Sequence, residues 1–177
     1  KETRKLVIYQ SRTGNTKRVA EAIFKALSEP KEIKPIKEAT SLEGYDLVFL
    51  GFPVHGEGPT PKAKAYLEPN TTGKKIALFI THAAPEDAPE MPASIQKFKD
   101  AAIGADIVDV FDCQGQLSRI IKTVMSVMPN PQIREWARKD TSQGQPDAGR
   151  LEKAAVFAKC VMTKIGATDS LDQLVTV

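Results

Sequence analysis

Apolar runs of strand length alternate along this chain with longer stretches of helical period, the pattern of βαβ units that build a parallel sheet covered on both faces. The runs predict five strands at Lys5 to Gln10, about Glu32 to Lys37, Asp46 to Phe52, Lys74 to Ile80 and Asp106 to Asp112. The first, third and fourth are nearly continuous apolar stretches, as central strands must be. The second carries Lys34, Pro35 and Lys37, which suits only an edge.

Helical spacing fills the intervals. Asn15 to Ser28 places Val19, Ala22, Ile23, Ala26 and Leu27 on one face; a short helix spans Pro61 to Leu67; another follows Pro92, with Ile95, Phe98, Ala102 and Ile103 inward. The last runs from near Pro146 and Asp147 to Lys164, with Leu151, Ala155, Ala158, Met162 and Ile165 on its stripe and Gly166 as its stop. An extra, mainly helical segment at about residues 113–145 lies before it: Leu117, Ile120, Ile121, Val124 and Met128 fit a helix that buries the first four, Pro129-Asn130-Pro131 breaks it, and Ile133 to Lys139 form a turn or two. Leu171, Leu174 and Val175 are expected to dock on the domain. A single domain over residues 1–177 is expected from a length of 177 residues and 41% hydrophobic content.

Composition narrows the function classes. Charged residues make up 27% and no apolar run reaches the length of a bilayer-spanning helix, so a cytoplasmic protein without membrane insertion is expected. The net charge of +3 is mild and its basic residues are dispersed, which argues against nucleic acid as a partner. Cys113 and Cys160 lack the spacing of a redox pair or zinc site and read as buried thiols.

The most informative stretch is Ser11-Arg12-Thr13-Gly14-Asn15-Thr16, directly after a buried strand and opening a helix. A helix N-terminus offers free N–H groups and the positive end of its dipole, and the three hydroxyls add donors for an anion. Taken alone, the stretch also fits a plain helix N-cap with a turn glycine. The spacing excludes a P-loop, and Gly56-Glu57-Gly58 lacks the third glycine of a dinucleotide fingerprint.

Ser11, Thr13, Gly14 and Thr16 match the [ST]-x-T-G-x-T phosphate loop of the flavodoxin family, and the chain resembles that family from the first strand to the last helix. The resemblance implies a three-layer fold with a five-stranded parallel sheet of order 2-1-3-4-5. It implies FMN, rather than FAD, as cofactor at the carboxyl ends of the strands. On this likeness Ser11 to Thr16 hold the phosphate, while Pro53, Val54, His55 and Gly56 after the third strand and Thr81, His82, Ala83 and Ala84 after the fourth flank the ring. Neither flanking loop contains an aromatic ring, but each holds one of the chain's two histidines, either of which is expected to stack on the flavin or donate to its edge. A metal site is not expected from two histidines without a spaced carboxylate. Trp136, the sole tryptophan, is expected in core packing or a surface lid.

The family implies electron carriage between a reductase and an acceptor enzyme, with redox proteins as partners. Family members are usually acidic, and the positive balance here suits an alternative, an NAD(P)H-dependent quinone or flavin reductase, since NAD(P)H is anionic. An accessory module with a weakly filled flavin pocket is the third reading. The segment at 113–145 is expected to lie beside the pocket and to present Arg119, Lys122, Arg134, Arg138 and Lys139 to an acidic partner or anionic substrate.

Overall fold

The computed structural model describes residues 2–166. Five strands, β1 (Lys5–Tyr9), β2 (Lys31–Pro35), β3 (Leu47–Pro53), β4 (Lys75–His82) and β5 (Asp106–Gln114), form one sheet of order β2-β1-β3-β4-β5, and every pairing is parallel. Pro35 sits at the end of the edge strand β2, where a missing N–H leaves the ladder intact. The opposite edge, β5, carries Asp106, Asp109 and Asp112, charges that discourage further strand pairing.

Side chains of successive strand residues point to opposite faces, so each central strand feeds two cores. Leu6, Ile8, Leu50, Phe52, Leu78 and Ile80 pack on one side with α2 (Pro61–Asn70) and α3 (Met91–Ala101). Val7, Phe49, Ala77 and Phe79 pack on the other with α1 (Asn15–Ala26) and α6 (Ala148–Lys164). Phe157 of α6 joins that core edge-on to Phe49, with centroids 6.1 Å apart, and stacked on Phe111 at 5.4 Å. Gly51 of β3 lies against Phe79, and a Cβ built on Gly51 would fall 1.9 Å from that ring.

Several limits move from their expected places. β4 and β5 run on to His82 and Gln114, because they pair with each other through Thr81–Cys113 and His82–Gln114 in a stretch too polar to read as strand. α2 passes Leu67 and includes Pro69. Asn70 Nδ2 donates to the Tyr66 carbonyl at 2.7 Å and Thr71 Oγ1 to the Leu67 carbonyl at 2.8 Å, which satisfies carbonyls of the last turn. The α6 stripe centres on Ala154, Phe157, Ala158, Val161 and Met162, turned from the expected one to admit Phe157. Ile103 falls beyond the end of α3 and is 55% exposed. Cys160 is exposed, against expectation, while Cys113 is buried; burial, with Glu86 and Asp112 nearby, pushes the Cys113 thiol up to about 12.

The extra segment holds α4 (Arg119–Ser126) and α5 (Pro131–Arg138). Its expected buried side is not buried. α4 contains no buried residue, and Ile120, Ile121 and Val124 are exposed. The helical period identifies one apolar face but cannot say whether the body of the protein covers it. Leu171, Leu174 and Val175 lie outside the described residues.

Candidate functional site

At the carboxyl ends of β1, β3 and β4, the chain leaves the sheet in three loops that meet in one cleft. The first loop turns through Gly14, whose φ of 95° is the left-handed region that glycine adopts without Cβ strain. Its N–H donates to Ser11 Oγ at 3.1 Å, which leaves the Ser11 hydroxyl hydrogen free to donate. No side chain caps α1, and its first turn carries no acidic residue. The leading N–H groups of α1 therefore face the cleft end without a protein acceptor. Thr16 is buried and shares a 2.8 Å hydrogen bond with the Thr81 hydroxyl, joining the phosphate-type loop to β4.

Ser11, Arg12, Thr13, Asn15, Thr16, Pro53, Val54, His55, Thr81, His82 and Ala83 all line this cleft. Gly14 and Gly56 do not line it but shape its turns, and Ala84 lines a neighbouring cavity. Sequence reasoning missed Gln10 and Thr60, and it expected the segment after β5 beside the pocket without naming which of its residues line it. Thr60 caps α2 by accepting from the Ala63 N–H at 3.0 Å and donates to Gln10 Oε1 at 3.1 Å, which brings both to the cleft. A Thr-Pro pair at a helix start was a visible signal for that cap.

Gly115, Gln116, Leu117, Ser118 and Ile121 form the third wall. Asn15 Nδ2 donates to the Gln116 carbonyl at 2.9 Å, and a Cβ on Gly115 would come within 2.8 Å of the Asn15 amide. The loop after β4 is stitched to the same stretch: the Gly115 N–H donates to the His82 carbonyl at 2.8 Å and Gln114 Nε2 to the Ala83 carbonyl at 2.8 Å.

His82 departs from its expected role. It is 4% exposed, and both ring nitrogens are engaged, Nδ1 with the Ala84 carbonyl at 2.6 Å and Nε2 with Asp112 Oδ2 at 2.7 Å. Each ring nitrogen thus faces an oxygen of the protein, a backbone carbonyl at Nδ1 and a carboxylate at Nε2. The ring locks the loop to β5 and has no nitrogen left to donate to a ligand. His55 stays exposed, in a tight turn closed by its N–H donating to the Gly58 carbonyl at 2.9 Å.

Glu86 completes the clamp. It accepts Arg150 Nε at 2.5 Å, Arg150 Nη2 at 3.0 Å and the Gln114 N–H at 3.0 Å, tying the loop to α6 and β5. Burial alone would raise the Glu86 carboxyl, but the Arg150 and backbone hydrogen bonds outweigh it and hold the group down to about 2. A folded value below the ordinary 4.5 means that this stability is present above about pH 4.5 and is lost as pH falls towards 2. With the Glu86 side chain 35% exposed, screening reduces its worth to about 1–2 kcal/mol. Glu86→Gln is expected to lower stability at pH 7 by that amount and to flatten the acid limb of the stability curve, as measured by urea unfolding from pH 7 to 2.

The basic residues of the extra segment are mostly committed internally. Lys122 pairs with Asp140 at 3.1 Å, Arg138 and Lys139 with Glu135 at 2.6 and 3.4 Å, and Arg134 donates to the Met128 and Pro129 carbonyls at 2.7 Å each. Among the described residues no group of histidine, cysteine or carboxylate side chains is arranged to hold a metal ion, and no helix is long and apolar enough to cross a membrane.

A 2-1-3-4-5 parallel sheet, helices on both faces and a cleft at the carboxyl ends define a flavodoxin-like α/β protein. Comparison with known proteins agrees. The flavodoxin domain model matches residues 6–159, and the chain belongs to that family. It is 36% identical over 171 residues to the flavodoxin-like domain-containing protein BilS of Clostridioides difficile strain CD3, covering 90% of this chain and 96% of that protein. Oxidised flavodoxin 2 of Bacillus cereus is 21% identical and superposes over 92% of this chain and 99% of its own with a TM-score of 0.58. The flavodoxin of Streptococcus pneumoniae TIGR4, at 14% identity, superposes over 92% and 99% with a TM-score of 0.55. These two structures share the fold.

Proposed function

We propose that this chain binds FMN in the cleft and carries electrons between a reductase and an acceptor enzyme. The observation that carries the reading is the uncapped start of α1, where open N–H groups and the hydroxyls of Ser11, Thr13 and Thr16 face one end of a cleft that the loops after β3, β4 and β5 extend. Such a donor set fits a phosphate dianion and needs no lysine. When bound, FMN supplies one- and two-electron redox chemistry.

The chain's own residues then bind and orient. Ser11 to Thr16 would hold the phosphate, and Thr60 with Gln10 would border the space between the phosphate end and the loops. Pro53 to His55 and Thr81 to Ala83 would flank the ring, the second loop held in place by the His82–Asp112 and Glu86–Arg150 contacts. Preorganisation of this kind lowers the ordering cost of binding.

A second reading, an NAD(P)H-dependent quinone or flavin reductase, is favoured by the net charge of +3 and by a cavity that adjoins the cleft. One experiment separates the two. The purified protein, loaded with FMN and mixed anaerobically with NADPH, is expected to keep its oxidised flavin spectrum for minutes and to bleach only when a flavodoxin reductase is added. Direct bleaching by NADPH would replace the carrier reading with the reductase, and failure to take up FMN at all would remove both.

A further inference from the structure

Two grooves adjoin the phosphate-type loop and run on from the cleft. Arg12, Lys17, Lys37 and Lys62 line the first, which shares Gln10, Ser11 and Arg12 with the cleft. Arg18, Arg119 and Ile120 line the second, which shares Thr13, Asn15 and Ser118 with it. Six cations thus gather about the loop. All six are exposed, and among the described residues none of their side chains makes a hydrogen bond or an ion pair. Glu38 is the one carboxylate on the two linings. In the extra segment, by contrast, Lys122, Arg138 and Lys139 are already held by Asp140 and Glu135. The basic surface left open to a partner therefore surrounds the loop.

An apolar stripe begins at the same place. Ile121 lines the cleft and Ile120 the second groove, 45% and 77% exposed, and Val124, one turn further along α4, is 52% exposed. These features together select the class of partner. A site for a small anion needs donors held in one geometry, whereas exposed cations on long stems are not preorganised. Spread about a mouth, they steer a carboxylate-bearing macromolecule and set its register. A nucleic acid would use the charges but gain nothing from the isoleucines and the valine. An apolar patch with a polar rim is the anatomy of a protein–protein interface.

We infer that the phosphate-type loop and α4 form the docking face for an acidic protein, whose carboxylates meet Arg12, Lys17, Arg18 and Arg119 while an apolar patch on it covers Ile120, Ile121 and Val124. Lys37 and Lys62, on the first groove, add to the steering. The carrier reading supplies the purpose of such a contact, but the contact itself requires no FMN.

The test uses the water-soluble domain of cytochrome b5, an acidic haem protein, with basic cytochrome c as control. Titrated into the isotopically labelled protein at low ionic strength, with and without FMN, cytochrome b5 is expected to shift the amide signals of residues 12–18 and 119–124 and to lose affinity as salt is added. Lys17→Gln, Arg18→Gln and Arg119→Gln together are expected to weaken binding about tenfold, roughly two- to threefold for each exposed charge pair. Ile120→Ser with Val124→Ser, which leaves the charge unchanged, is expected to weaken it by about the same factor. All five positions are exposed, so the variants should keep the fold. Shifts confined to other faces, equal affinity for cytochrome c, or unchanged affinity in either variant overturns the inference. A short DNA duplex that binds more tightly at the same residues also overturns it, in favour of nucleic acid. Docking that persists when FMN is not taken up overturns only the proposed function, and FMN uptake without docking overturns only this face.

Discussion

Replacing Thr13 and Thr16 together with alanine is expected to cost about 2–4 kcal/mol of FMN affinity, because on the proposed reading each hydroxyl would donate a charge-assisted bond to the phosphate dianion. Riboflavin, which lacks the phosphate, should lose almost nothing from the same change. The two sites differ in their background cost. Thr13 is exposed and its loss leaves the fold untouched, whereas Thr16 is buried against Thr81, so Thr16→Ala also leaves the Thr81 hydroxyl without its partner. Thr13→Ala alone therefore isolates the ligand term. Fluorescence titration of the apoprotein with both flavins checks the result: equal losses for FMN and riboflavin would mean that the loop holds no phosphate.

The largest loss of stability is expected at Gly51, which no helix or loop pattern marks. Its Cβ position lies 1.9 Å from Cε2 of Phe79, a ring that is fully buried beside the β3–β4 pairing. Neither the backbone of β3 nor that ring can give way without opening the core shared with α1 and α6. Gly51→Ala is expected to destabilise by about 3 kcal/mol, at the upper end of ordinary overpacking. Denaturant unfolding gives the number, and Gly51→Ala combined with Phe79→Leu should recover part of it. A Gly51→Ala protein as stable as the parent would show that Phe79 has a second rotamer available.

What was readable in the sequence follows from which forces are local. The five strands and the edge place of β2 were legible because apolar runs and Pro35 act on their own neighbourhoods. The Ser11 to Thr16 turn was legible because its chemistry is contiguous. By contrast, Gln10 and Thr60, and the particular residues 115–118 of a segment expected beside the pocket, reach the cleft through pairings with partners far along the chain, such as Asn15 with Gln116. No window of sequence contains such a pair. His82 was misjudged for the same reason: its partner Asp112 is adjacent only once β4 and β5 pair. For α4, a correct apolar period led to a wrong burial, since amphipathicity predicts a face and tertiary packing decides what covers it.

The double engagement of His82 decides which part of the cleft wall can adapt. An imidazole can act on a ligand only through a ring nitrogen that is free to donate or accept. Here that ring would have to abandon the Ala84 carbonyl or Asp112 before it could bond to anything in the cleft. The other imidazole on the lining, His55, is exposed in its turn. The rigid part of this wall is therefore the His82 clamp, and its adaptable part is the exposed turn at His55, so a bound ligand would be accommodated at this edge by movement of that turn.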